Sequence, residues 1–132
     1  MKDEIIELQT NITRENLHTL MRLFYQRAIV NTEIGPFFTH ELGEDLDGED
    51  WVHHIDLLAD FWLAKILGEN TYYGNFIGAH VKLPRMREHH FSIWIELFSI
   101  TADEVYVKDI ADVFKKKGIA FSKQFLTTNK KI

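Results

Sequence analysis

The chain has no cysteine and only two prolines, Pro36 and Pro84, among its 132 residues. The first absence excludes disulfide bonds, thiolate nucleophiles and thiolate metal sites together, and it suits a reducing compartment. No run approaches the ~20 apolar residues that a membrane-spanning helix needs. The opening MKDEIIELQT has acids directly after Lys2, not the basic and apolar regions of a signal peptide. A cytoplasmic protein without a membrane partner is expected. Positive charge is also scarce: 15 Lys and Arg against 20 Asp and Glu give a formal charge of -5. Nucleic acid requires a basic face and is therefore not an expected partner; the run Lys115, Lys116, Lys117 is too short to alter that. No stretch alternates with period two for long enough to form a sheet, and there is no repeat or low-complexity segment.

Aromatic side chains, in contrast, are abundant. Ten Phe, three Trp and four Tyr make up 13% of the chain, a heavy load that points to something large and flat packed inside. The length suits a single domain, 1–132, able to bury about two-thirds of its unfolded surface around one core. The core is expected over about 12–125, with 1–11 and 126–132 as terminal tails, and the protein is expected to be a monomer.

The apolar pattern is helical. Leu17, Leu20, Met21, Phe24, Tyr25 and Ala28 recur at spacings of three and four, with Thr13 as N-cap and Ile12 and Leu17 placed as a hydrophobic staple. A turn at residues 34–36 leads to Phe37 and Phe38, and the acidic stretch 41–50 reads as a loop whose last acids open the next helix favourably for its dipole. That second helix carries Trp51, His54, Ile55, Leu58, Phe61, Trp62 and Ile66, and Gly68 should end it. Between Gly68 and Pro84 the period weakens, which predicts a loop and a short helix holding His80. Met86, His90, Phe91, Trp94, Leu97, Phe98 and Thr101 form a third stripe, and a last helix carries Ile110, Val113, Phe114, Phe121 and Phe125. The predicted fold class is all-α.

Seven histidines stand at 18, 40, 53, 54, 80, 89 and 90, and no two are three or four apart, so no helix offers a zinc-binding pair on one face. Each adjacent pair must point one ring away from the other, and the stripes turn His54 and His90 inward. Any one of these rings is explained as a boundary histidine with satisfied hydrogen bonds. Tyr25 and Trp94 lie on buried stripes, and their polar atoms need partners there; a nearby carbonyl would serve each. Were His80, Tyr25, Trp94 and His54 to converge, they would instead set one nitrogen ligand opposite several hydrogen-bonding groups across an aromatic pocket, the arrangement of a haem site.

Several motifs in this order, LMRLFY (20–25), IGPFF (34–38), the W..H......FW spacing from Trp51 to Trp62, LGE (67–69) and HVKLP followed by HFSIW (80–94), make the chain resemble the truncated haemoglobins. The resemblance runs from about Ile12 to Phe125 and is greatest to the third group, where the glycine pairs that mark helix ends in the other groups are usually missing. It implies a two-over-two helical sandwich around haem b (iron protoporphyrin IX). By the same resemblance His80 is the proximal ligand to iron. Tyr25, His54 and Trp94 form the distal pocket with Leu58 and Phe61 on its wall, Phe38, Phe37 and Phe91 pack on the haem, and Lys82, Arg85 and Arg87 are candidates for its propionates.

The implied function is reversible binding of oxygen, nitric oxide, carbon monoxide or a similar small ligand in a bacterial protein, as in oxygen transport. The alternative is haem redox chemistry, a nitric oxide dioxygenase or peroxidase-like enzyme, which needs an external reductase because no flavin or nicotinamide domain is attached. A third possibility is a cofactor-free helical interaction domain whose aromatic stripes are only core.

Overall fold

A computed structural model describes residues 7–67 and 87–131, with side chains for all of these except residues 67 and 124–131. The described part holds five helices: α1 (Arg14–Ala28), α2 (Gly35–Leu42), α3 (Glu49–Leu67), α4 (Glu88–Val105) and α5 (Lys108–Lys131). None of them is long and apolar enough to cross a membrane.

Helix α1 starts where its sequence says it should. The Thr13 side chain accepts from the Asn16 N–H at 3.1 Å and the Asn16 side chain accepts from the Thr13 N–H at 2.9 Å, a reciprocal cap that satisfies two donors left over at a helix start. Its buried face is Leu17, Leu20, Met21, Phe24, Tyr25 and Ala28, as the period predicts. Helix α3 likewise buries Trp51, Ile55, Leu58, Ala59, Phe61, Trp62 and Leu63, each large apolar side chain contributing about 1.5–3 kcal/mol relative to exposure. The helices pack in two pairs, α1 on α3 and α4 on α5, with α1 crossing onto α4. Arg14 reaches Asp60 and His18 lies 3.0 Å from Asp56 across the first pair. Arg27 joins the two layers, donating to Thr101 Oγ1 at 2.9 Å and to both Glu104 carboxylate oxygens at 2.7 and 2.6 Å.

Two expectations are corrected. Residues 35–42, read as a turn running into a loop, form helix α2, with Pro36 in its first turn where a missing N–H costs nothing. Eight residues burying only Gly35 and Phe38 are too few to display a helical period. On α5, Val113 is exposed, and the buried positions are Ala111, Phe114, Gly118 and Ser122. The small Gly118 allows close approach to α4: a Cβ there would lie 3.1 Å from the Phe98 ring. Gln9 pairs with the α4–α5 junction, its N–H on Val105 O at 2.8 Å and its carbonyl accepting from Val107 at 3.1 Å, and α5 continues to Lys131. Below that junction the buried Tyr106 hydroxyl donates to Asn16 Oδ1 at 2.6 Å.

The entry to α2 supplies a stability prediction. A Cβ on Gly35 would stand 2.4 Å from the Ile29 carbonyl oxygen and 2.9 Å from its carbon, and backbone atoms cannot rotate aside. Gly35→Ala should therefore destabilise the fold by about 1–3 kcal/mol, the usual cost of overpacking. Thermal unfolding followed by circular dichroism would record this as a fall in Tm of several degrees.

Candidate functional site

The site grows from the face that α1 and α3 share. Tyr25, in the last turn of α1, and His54, two turns into α3, lie on buried or half-buried stripes that meet. The Tyr25 hydroxyl is 3.2 Å from His54 Nε2. If that nitrogen is bare the hydroxyl donates to it; if it carries the proton the ring donates, and the phenolic hydrogen can turn to another acceptor. Tyr25 is only 3% exposed, and burial raises its pKa well above the ordinary tyrosine value. The phenol thus stays protonated, and a hydrogen-bond donor, throughout the physiological range.

Aromatic rings enclose this pair. Phe38 of α2 meets the Tyr25 ring edge-on at 5.4 Å, Trp51 lies 4.9 Å from it, and Phe24 lies 4.8 Å away on α1 itself. Phe24 continues to Trp94 of α4 at 5.6 Å. Trp94 is half-buried and stacks on Phe98 at 5.3 Å, with Trp62 stacked beyond at 5.5 Å. The structure therefore brings Tyr25 and His54 into contact and joins Trp94 to them through Phe24. Phe37, the neighbour of Phe38, points elsewhere and packs on His90 at 4.8 Å.

His90, which its stripe turns toward the core, is half-buried at the head of α4, and its work is local. Its Nδ1 accepts from the Arg87 N–H at 2.8 Å at the start of α4. Burial, followed by the neighbouring His89, lowers its pKa, which favours the neutral ring that such acceptance requires. Among the described residues no cluster of three or more His, Asp or Glu is arranged to hold a metal ion.

No protein-family model matches the chain. The group 3 truncated hemoglobin ctb of Campylobacter jejuni is 28% identical to it over 114 residues, which cover 86% of this chain and 88% of that protein. The crystal structure of group III truncated hemoglobin from Campylobacter jejuni matches it with a TM-score of 0.84 at 26% identity, over 92% of this chain and 94% of that one. In sequence and in fold the chain is similar to the truncated haemoglobins. Its fold is the all-α truncated globin, and the α1/α3 and α4/α5 pairs are its two layers.

The remaining candidate residues divide by location. Leu58 and Phe61 are buried on α3, one and two turns beyond His54. The Phe61 ring lies 5.1 Å from Phe121 of α5, tying α3 to the second layer. Phe91, 7% exposed, lies at the α4–α5 seam beside Ile95, Ile119 and Ser122. Arg87 is exposed at the head of α4. His80, Lys82 and Arg85 lie outside the described residues. Trp51 is the member of the site that sequence reasoning missed: its stripe marked it as buried, but nothing in its spacing marked it as a neighbour of both Tyr25 and His54.

Proposed function

We propose that this truncated haemoglobin holds haem b and reversibly binds oxygen or another diatomic molecule, with Tyr25, His54 and Trp94 as its distal residues. The observation that carries the reading is the Tyr25 hydroxyl, buried and 3.2 Å from His54 Nε2. A purely structural tyrosine could bond any carbonyl, whereas this one meets an ionisable ring in an aromatic enclosure. The residues present fit haem. The walls of Phe24, Phe38, Trp51 and Trp94 suit a flat apolar group, Tyr25 and His54 supply polar atoms on one side, and His80 supplies an imidazole. When bound, haem supplies an iron atom with one coordination position open to a diatomic molecule. His80 would hold the iron, with its second ring nitrogen on an acceptor that fixes the tautomer. Lys82, Arg85 and Arg87 would pair with the propionates.

The chain's own contribution is to place donors. The Tyr25 phenol donates or accepts, the indole of Trp94 only donates, and both act in surroundings of low polarity where a hydrogen bond to a charge-bearing partner is worth about 1.5–3 kcal/mol. Tyr25→Phe and Trp94→Phe should each speed oxygen dissociation about ten-fold or more, with a smaller effect on the less polar carbon monoxide. Stopped-flow dissociation kinetics measures both, and unchanged oxygen rates in the two variants would remove the distal assignment. The broader reading is tested by colour. The purified chain, or the chain given hemin, should show a Soret band; protein that takes up no hemin would favour the cofactor-free interaction domain.

A redox role is the second reading, and the Tyr25–His54 contact favours it because a hydroxyl bonded to an imidazole can pass a proton. Nitric oxide or peroxide chemistry by this route would draw electrons from a separate reductase.

A further inference from the structure

Trp51 has no exposed surface, and filling space does not account for its geometry. Its indole N–H donates to the Gly43 carbonyl at 2.7 Å. Gly43 closes α2 with φ 87 and ψ 178, a region of backbone space that glycine alone occupies readily. No side-chain atom crowds the position, since a Cβ there would meet nothing within 4 Å; the glycine is required by the direction of the chain and hence of its carbonyl. Trp51 also stands three residues before His54 on α3, so the two side chains share a face. Their rings meet edge-on at 5.6 Å, while the Tyr25 ring lies 4.9 Å from the same indole. One buried side chain thus touches both partners of the Tyr25–His54 bond and is itself tied to the end of α2.

We propose that Trp51 is a positioning residue that holds the His54 ring against the Tyr25 hydroxyl, with the Gly43 carbonyl fixing its indole. The proposal rests on the reading of Tyr25 and His54 as the distal pair. It deepens that reading by naming what controls the His54 position: a tie to the α2–α3 loop, so that loosening the loop lets the ring leave Tyr25 and opens the way in.

Two substitutions reach the same hydrogen bond from its two ends. Trp51→Phe keeps a ring and loses the N–H; Gly43→Ala keeps the indole and strains the backbone that carries its acceptor. Trp62→Phe is the control, because Trp62 is an equally buried tryptophan of α3 that stacks on Phe98 away from His54. Proton NMR of the hemin-loaded carbon monoxide complex would measure the nuclear Overhauser contact between the His54 and Tyr25 rings, and flash photolysis would measure carbon monoxide association. Trp51→Phe and Gly43→Ala should both weaken the contact and raise association about ten-fold, the worth of one hydrogen bond, while Trp62→Phe changes neither. An unaltered contact in both variants, or equal weakening in all three, overturns the proposal. If Trp51→Phe does not fold, Gly43→Ala against Trp62→Phe decides alone. If hemin is not taken up, the distal reading falls by that result, and the ring contact measured in the chain without hemin still decides the role of Trp51.

Discussion

His80→Ala is expected to abolish stable retention of haem while leaving the helical fold able to form. Six of the seven histidines, at 18, 40, 53, 54, 89 and 90, lie among the described residues. Four of them have defined neighbours there: His18 pairs with Asp56, His54 with Tyr25, His89 with Glu33 at 3.6 Å and His90 with the Arg87 N–H. His40 and His53 are exposed. His80 is the seventh, and it is the proposed iron ligand. Loss of a group that merely orients a metal ligand costs about 10–100-fold in affinity, so loss of the ligand itself should raise the haem dissociation rate by about 100-fold or more. Transfer of haem to an excess of an apo-globin acceptor measures that rate, and millimolar imidazole should restore part of the lost spectrum by occupying the space. Wild-type retention in His80→Ala, with transfer instead accelerated by a change at His54 or His90, would assign the ligand elsewhere.

The sequence carried much of this because helices of 15–19 residues repeat their apolar positions often enough to show which face is buried. Leu17 to Ala28, Trp51 to Ile66 and Phe91 to Thr101 each span three or more turns, and the structure packs these stripes together. The Thr13 cap was legible for another reason: it is local, with both partners within three residues. Helix α2 fails the same test. Its two buried positions, Gly35 and Phe38, define no period, and the Pro36 that looks like a break is favourable at a helix start. Val113 misled because it stands one residue from Phe114 and only one of the two can face α4. For α5 the informative residues were small ones, Ala111 and Gly118, which carry little hydrophobic signal.

Within the site, residue types were legible and contacts were not. The inward turn of Tyr25 and His54 followed from spacing, but whether their polar atoms met depended on the crossing of α1 over α3. The different neighbours of Phe37 and Phe38 depend on the course of α2, which directs Phe38 at Tyr25 and Phe37 at His90. The bond from Trp51 to Gly43 joins a side chain to a main-chain oxygen eight residues back across a loop, a contact that no apolar pattern records. His90 shows the opposite case: its stripe turned it toward the core, yet it is half-buried at the head of α4 and engaged with a backbone N–H three residues away.

His54→Leu separates ligand binding from redox chemistry, and its expected effect is on entry. The His54 ring is half-buried, with Nε2 on the Tyr25 hydroxyl; as a gate it would swing between that contact and solvent. Leucine fills similar space without the hydrogen bond, so the energy that holds the ring inward is lost. Carbon monoxide association should change by about ten-fold, one hydrogen bond's worth, while reaction with hydrogen peroxide stays low in both proteins. Tyr25 and Trp94 remain as donors in the variant, which is why oxygen retention should suffer less than in Tyr25→Phe. An acid–base role predicts the reverse. A positioned proton-transfer group is worth about 10²–10⁴ in rate, so removing it would cut the peroxide reaction by about 100-fold or more and erase its pH dependence, with ligand association unaltered. Flash photolysis and stopped-flow mixing with peroxide, run on the same preparations across pH 5–8, distinguish the two. The gate is the better-supported role, because the buried Tyr25 phenol stays protonated and, with the Trp94 indole, supplies the pocket's donors without His54.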